Sequence, residues 1–205
     1  MRDMLPEAVR AVRELRPLGF VFENVKGLLR KSFSTYFDYI LLQLSHPEIL
    51  AKADMDWSDH LRLLEEYHTS GSRSGLEYNV VFRLLNAADY GVPQIRHRVV
   101  IVGFRNDFDA GWSFPEPTHS RDELLKAKYS DGSYWDEHKV PMNLRTETPT
   151  AILQSMLQLE IPYAKKEHWQ TVQDAIKGLP EPQSEIAHNY LNNTIDCIPL
   201  ERRCG

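Results

Sequence analysis

The chain has 205 residues, a formal net charge of −5, 42% apolar and 26% charged residues. That balance describes a soluble globular protein and excludes a fibrous repeat, a disordered tail and a strongly basic free-standing DNA-binding module. Two cysteines, no charged-plus-apolar leader and no long apolar run point to a reducing cytoplasm, with neither export nor a membrane. The eight histidines show no H-x-x-x-H spacing, so no metal site is expected.

Taken in chain order, Leu5, Ala8, Val9, Val12 and Leu15 recur at helical spacing and predict an amphipathic helix, ended by Pro17 and Gly19. The apolar run Phe20-Val21-Phe22 then meets Glu23-Asn24 and Val25-Lys26-Gly27. This reads as a buried strand whose polar residues emerge at its carboxyl end, the edge where open α/β sheets bind ligands. Taken singly, Glu23 is more commonly a strand-end carboxylate capping a turn. Phe33, Phe37, Ile40, Leu41 and Leu44 form a second helical stripe. Trp57, Leu61, Leu63 and Leu64 form a third, capped by Asp56 or Ser58, and Thr69 to Gly75 is a flexible turn.

Tyr78 to Leu85 and Arg98 to Phe104 are rich in Val, Ile and Phe and read as strands joined by a tight polar crossing. That crossing carries Gln94, Arg96 and Arg98, with no acid between Gly91 and Arg105. Arg96 and Arg98 share a face in extended chain. Paired planar guanidiniums suit phosphate oxygens or the acceptor edge of a base, although an isolated R-x-R is usually just solvated. After Arg105, prolines and aromatics scatter without period through Trp112, Phe114, Tyr134, Trp135 and Pro141. Helices are predicted from Thr148 or Pro149 to Leu159, and from Thr171 to Lys177 ahead of Gly178.

Together, Glu23-Asn24-Val25-Lys26-Gly27-Leu28 and the run from Asn86 through Gln94, Arg96 and Arg98 to Arg105 resemble two blocks of the DNA cytosine-5 methyltransferase family. They stand in the family's order. Arg13-Glu14-Leu15-Arg16-Pro17 ahead of them and Phe114-Pro115-Glu116-Pro117-Thr118-His119 after them agree. The resemblance covers residues 1 to 119 well and Thr171 to Pro180 more loosely. It implies an α/β fold: part of a doubly wound Rossmann-like methyltransferase sheet, incomplete, plus an irregular region leading to target recognition. Residues 1–105 would be the carboxyl-side part of the catalytic domain, and 106–205 the variable region and the start of target recognition. The Glu23 strand is expected at the sheet's centre, beside the Tyr78 and Arg98 strands. His188 and Asn189 read equally as recognition-region residues or as a plain turn.

The chemistry implied by the resemblance is attack of a cysteine thiolate on C6 of a flipped cytosine in double-stranded DNA, then methyl transfer from S-adenosyl-L-methionine to C5. A carboxyl group in a poorly solvated pocket holds its proton to higher pH and can supply it to N3. The resemblance places Glu23 there, with Asn24 holding the turn that aims it. Arg98 would reach the cytosine O2. Arg96 would anchor the flipped nucleotide's phosphate or brace Glu23, and Gln94 would fix the loop with a possible backbone contact. No Pro-Cys-Gln nucleophile motif and no Phe-x-Gly-x-Gly donor loop occurs in the sequence. Cys197 and Cys204 have no nearby His or helix start to activate them. The expected function is therefore a fragment or subunit of a DNA cytosine-5 methyltransferase, inactive alone and partnered by the missing amino-terminal half of the enzyme. A non-catalytic DNA-binding or regulatory module derived from such an enzyme, or a relative acting on RNA, are the alternatives.

Overall fold

A computed structural model describes residues 4–71, 75–108, 110–150, 152 and 166–179. The chain divides after Gln170 into two compact units. In the first, helix α1 (Leu5–Leu15) forms where the apolar spacing predicts it and buries Val9 and Val12. Leu15, a predicted member of its stripe, is 77% exposed. The helix ends there: Arg16 turns left-handed at φ 46° and its N–H closes on the Val12 carbonyl.

Strand β1 (Gly19–Val25) follows, then two short 3₁₀ turns and helix α2 (Ser34–Ser45). Phe33 sits at the N-cap of α2, which leaves it exposed and takes it out of the predicted stripe. Helix α3 (Trp57–Thr69) is capped by Asp56, whose carboxylate accepts from Ser58 N at 2.7 Å and Asp59 N at 3.0 Å. Strands β2 (Tyr78–Asn86) and β3 (His97–Arg105) complete the main sheet.

The sheet order is β1-β3-β2, with β3 antiparallel to both neighbours. β1 and β2 therefore run parallel on either side of β3, joined through α2 and α3, consistent with part of a Rossmann-like methyltransferase sheet. The expectation of a central Glu23 strand is corrected here. β3 is central, and β1 is an edge among the described residues. The reason lies in side-chain character: β3 is buried on both faces, through Val99 and Ile101 on one side and Val102 on the other. β1 is apolar and half-buried on one face only.

Helices α1 and α2 cover one face of the sheet. Val9, Val12, Phe37, Ile40 and Leu44 pack there with Tyr78, Val99 and Ile101, joined by Phe20, Phe22 and Leu84. α3 lies outside α2 through Tyr39, Leu61 and Leu64. The opposite face is more open. Val21 and Val25 are 65% and 56% exposed, while Trp112 packs at a tilt against Phe104 and the Arg83 guanidinium lies 5.1 Å from the Phe114 ring.

Beyond β3 the chain is more regular than its sequence suggests. A two-residue strand β4 (His119–Ser120) pairs in parallel with β5 (Glu167–His168). Between them lie helices α4 (Arg121–Tyr129) and α5 (Ser133–Glu137). Sequence periodicity misses α4 because its apolar stripe is short. Its start is set instead by Ser120, whose hydroxyl accepts from Asp122 N at 3.1 Å. Two of the aromatics that look scattered, Tyr134 and Trp135, are organised around Lys128. Its carbonyl accepts from Trp135 Nε1 at 2.7 Å, and its ammonium lies 4.4 Å from the Tyr134 ring centroid.

The predicted helix from Thr148 to Leu159 lies mostly outside the described residues, as do His188, Asn189, Cys197 and Cys204. In the second unit, α6 (Val172–Ile176) begins where predicted. Thr171 and Asp174 form a reciprocal capping box there. Among the described residues, no helix is long and apolar enough to cross a membrane.

Candidate active site

Glu23 and Arg98 meet on the open face of the sheet. In the β1–β3 register Glu23 stands opposite Val100 and Arg98 opposite Val25, so the two side chains are diagonal neighbours on one face. Arg98 Nε is ion-paired with Glu23 Oε1, and Arg98 Nη1 donates to the His97 carbonyl at 2.9 Å. The Arg98 side chain is 25% exposed and that of Glu23 54%. The carboxylate is therefore held by one cation and open to water on its other side.

Asn24 sits next to Glu23 in β1 and its Oδ1 accepts from Val25 N at 2.8 Å, just ahead of the Lys26–Leu29 3₁₀ turn. Arg96 and Gln94 occupy the loop before β3, both exposed. Because β3 begins only at His97, Arg96 lies outside the strand that carries Arg98. Of the two roles open to Arg96, bracing Glu23 falls to Arg98 in the structure.

Two residues that sequence reasoning did not single out hold this loop. Asn86 is buried, and its Oδ1 accepts from Arg96 N at 3.1 Å and from Ala88 N at 3.4 Å. With the Ala87 N–H donating to the Arg96 carbonyl at 3.0 Å, the loop is closed at its neck. An Asn at the start of a tight turn is a known side-chain-to-backbone signal, so Asn86 was findable. Asp89 was not. Its Oδ1 accepts from Trp169 Nε1 at 2.9 Å, across eighty positions of sequence. Behind the loop, Gly91 adopts φ +84°, and a Cβ there would lie 2.8 Å from the His119 ring.

Clefts occur elsewhere. One of about 540 Å³ lies among α1, α2 and the start of α3, lined by Tyr36, Tyr39 and Trp57. Another of about 650 Å³ lies beside α4 and β5, lined by Lys126, Asp131, Lys166 and Glu167. Neither contains Glu23, Arg96 or Arg98. The perturbed titratable groups are also remote from the pair. His60 donates Nε2–H to the Ile49 carbonyl at 3.0 Å and accepts the Tyr39 hydroxyl at Nδ1, 2.9 Å away. Burial holds its pKa below the usual histidine range, against the opposing pull of the Ile49 carbonyl. His46 contacts His68 at 2.8 Å, and burial first, then His68, push its pKa down, while Glu77 pulls it up. His60 thus ties α2 and α3 to Ile49, and His46 packs beside His68 and Tyr67.

Comparison with known proteins places these residues in context. The chain matches the family described as C-5 cytosine-specific DNA methylase over residues 1–48 and 59–198. It is 37% identical over 118 residues to the type II methyltransferase M.BspRI of Lysinibacillus sphaericus, covering 58% of this chain and 21% of that protein. It is 32% identical over 172 residues to the type II methyltransferase M.AquIA of Picosynechococcus sp., covering 84% and 57% respectively. It is 33% identical over 135 residues to the DNA (cytosine-5-)-methyltransferase M.ApeKI of Aeropyrum pernix, covering 65% and 26%. The chain thus spans between about a fifth and just over half of the length of these relatives.

Proposed function

The chain belongs to the C-5 cytosine-specific DNA methylases, and from that premise we propose that it supplies the surface of a DNA cytosine-5 methyltransferase that holds the flipped cytosine. The observation that carries this reading is the Glu23–Arg98 pair on the open sheet face, with the Gln94–Arg96 loop beside it. Carboxylate and guanidinium side by side match the donor and acceptor edge of cytosine. Once it has taken up a proton from solvent, the Glu23 carboxyl would hydrogen-bond N3 and pass that proton to it, and Arg98 would donate to O2. A base seated on this face would exclude the water that now reaches Glu23. Arg96, exposed and outside the strand, is free to take a phosphate, and Gln94 to contact the DNA backbone. Asn24 would keep the end of β1 in place through its bond to Val25 N.

In this family S-adenosyl-L-methionine supplies the methyl group. Most of its site is assigned outside this chain: β1 runs into Lys26-Gly27-Leu28-Leu29, without the paired glycines that let backbone approach such a ligand. The methyl donor and the thiolate are assigned to a partner segment, the amino-terminal half of the enzyme. The edge of β1, unpaired among the described residues, and the exposed Val21, Val25 and Val81 offer that segment a place to dock. Residues 1–105 are assigned to the catalytic domain and 106–205 to the variable and recognition region.

Fluorescence anisotropy tests the DNA assignment, using the full chain and a short duplex whose cytosine stands opposite an abasic site. Arg96→Ala is expected to weaken binding about five- to tenfold and to lower the slope of log K against log salt by about one. Equal affinity and equal slope for Arg96→Ala and the parent chain would overturn the assignment.

A further inference from the structure

We propose that Asp89 and Trp169 are positioning residues that fix the arginine-bearing loop against the segment downstream of β3. The inference rests on the assignment of that loop to DNA. Four hydrogen bonds build the support. Glu167 N donates to Thr118 O at 3.0 Å and Trp169 N to Ser120 O at 3.1 Å, so the β4–β5 ladder sets the height of Trp169. From there the indole N–H reaches Asp89 Oδ1 at 2.9 Å. Thr118 N donates to the Asp89 carbonyl at 3.0 Å, so the same residue is held through backbone and side chain together.

Asp89 lies inside the Ala87–Tyr90 turn that starts the loop, and Asn86 closes the loop at the Arg96 end. Neck and back are thus secured by different parts of the chain. A hydrogen bond to a carboxylate is stronger than a neutral one, and this one is half-buried. Removing it leaves the β1–β3 core untouched and frees the loop to fluctuate. Loop mobility in turn weakens DNA contacts, since ordering the loop must then accompany binding.

The test uses the full chain with Trp169→Phe, Asp89→Ala, the double variant and Asp89→Asn, which keeps a carbonyl acceptor. Amide hydrogen exchange is read at Ala87, Val92 and Arg96 and compared with Val99 to Val102. Trp169→Phe and Asp89→Ala should each speed exchange at the loop amides about tenfold, with the β3 amides unchanged. The double variant should be no faster than Asp89→Ala, and Asp89→Asn should stay close to the parent. Binding of the abasic-site duplex should weaken about fivefold in Trp169→Phe at unchanged salt slope, because no charge is lost. Unchanged loop exchange in Trp169→Phe, or equal acceleration at Val99 to Val102, would overturn the positioning role. Arg96→Ala separates the two ideas: if it binds DNA as the parent does, the DNA assignment fails, while the exchange data still decide whether Asp89 and Trp169 hold the loop.

Discussion

Glu23→Gln is expected to lower the rate of methyl transfer by about 10²–10⁴ in an enzyme assembled from this chain and a segment carrying the nucleophile, the usual effect of losing one acid-catalytic group. The amide keeps the shape of the carboxyl and can still meet N3. It carries no transferable proton, and it dissolves the ion pair with Arg98, leaving that guanidinium the His97 carbonyl as its remaining bond on this face. The binding step should respond far less, because an exposed ion pair contributes little on its own and the phosphate contacts remain. Single-turnover kinetics at saturating DNA separate the two effects. A methylation rate equal to that of the parent would refute the role given to Glu23.

The second large effect is structural. Gly103 lies in the second half of β3, opposite Phe20 in β1 and Val80 in β2. A Cβ at this position would stand 2.2 Å from Phe20 Cζ, with two further ring carbons at 2.5 and 2.8 Å. The ring cannot simply swing away, since its centroid is 5.1 Å from that of Phe22 and 5.2 Å from that of Tyr78. Gly103→Val should therefore destabilise the chain by about 3 kcal/mol, at the upper end of overpacking costs. For a chain of this size that corresponds to roughly 6–12 °C in Tm. Thermal unfolding followed by circular dichroism reads it directly, and Phe20→Leu in the same chain should recover part of the loss. A midpoint within about 1 °C of the parent would show that the β1–β3 contact is looser than the structure indicates.

The parts of this architecture legible in the sequence are those with one strong local period. α1, α2, α3 and strands β1 to β3 each carry a stripe or a β-branched run, and all six form close to where those patterns predict. Strand order was not legible in the same way. Glu23-Asn24 marks the polar end of β1, but centrality in a sheet depends on burial of both faces. Val99, Ile101 and Val102 show that only once β3 is seen to be covered on each side. The region after Arg105 defeated periodicity for a different reason. α4 and α5 are short, and their positions follow from a serine cap and from indole and ammonium contacts of Trp135 and Lys128. These act between individual groups and leave no repeating pattern.

The candidate site divides along the same line. Glu23 and Arg98 could be named from two motifs, and the register then puts them in contact. The sequence did not say which arginine braces the carboxylate. That depends on where β3 begins, and its start at His97 leaves Arg96 outside. Asn86 left a weak local signal and Asp89 none, because its partner Trp169 is brought in by a two-residue strand pair far along the chain.

We propose that the Glu23–Arg98 face holds cytosine for methyl transfer completed by residues elsewhere. The most direct test is transfer of a tritiated methyl group from S-adenosyl-L-methionine to duplex DNA. The full chain is assayed alone, and again after co-expression with a segment of a C-5 cytosine-specific DNA methylase that carries Pro-Cys-Gln and the glycine loop. Label recovered as 5-methylcytosine from the co-expressed pair, and from neither component alone, is the expected result. A pair that associates stably and binds DNA yet transfers no label would contradict it, and so would transfer by the chain on its own.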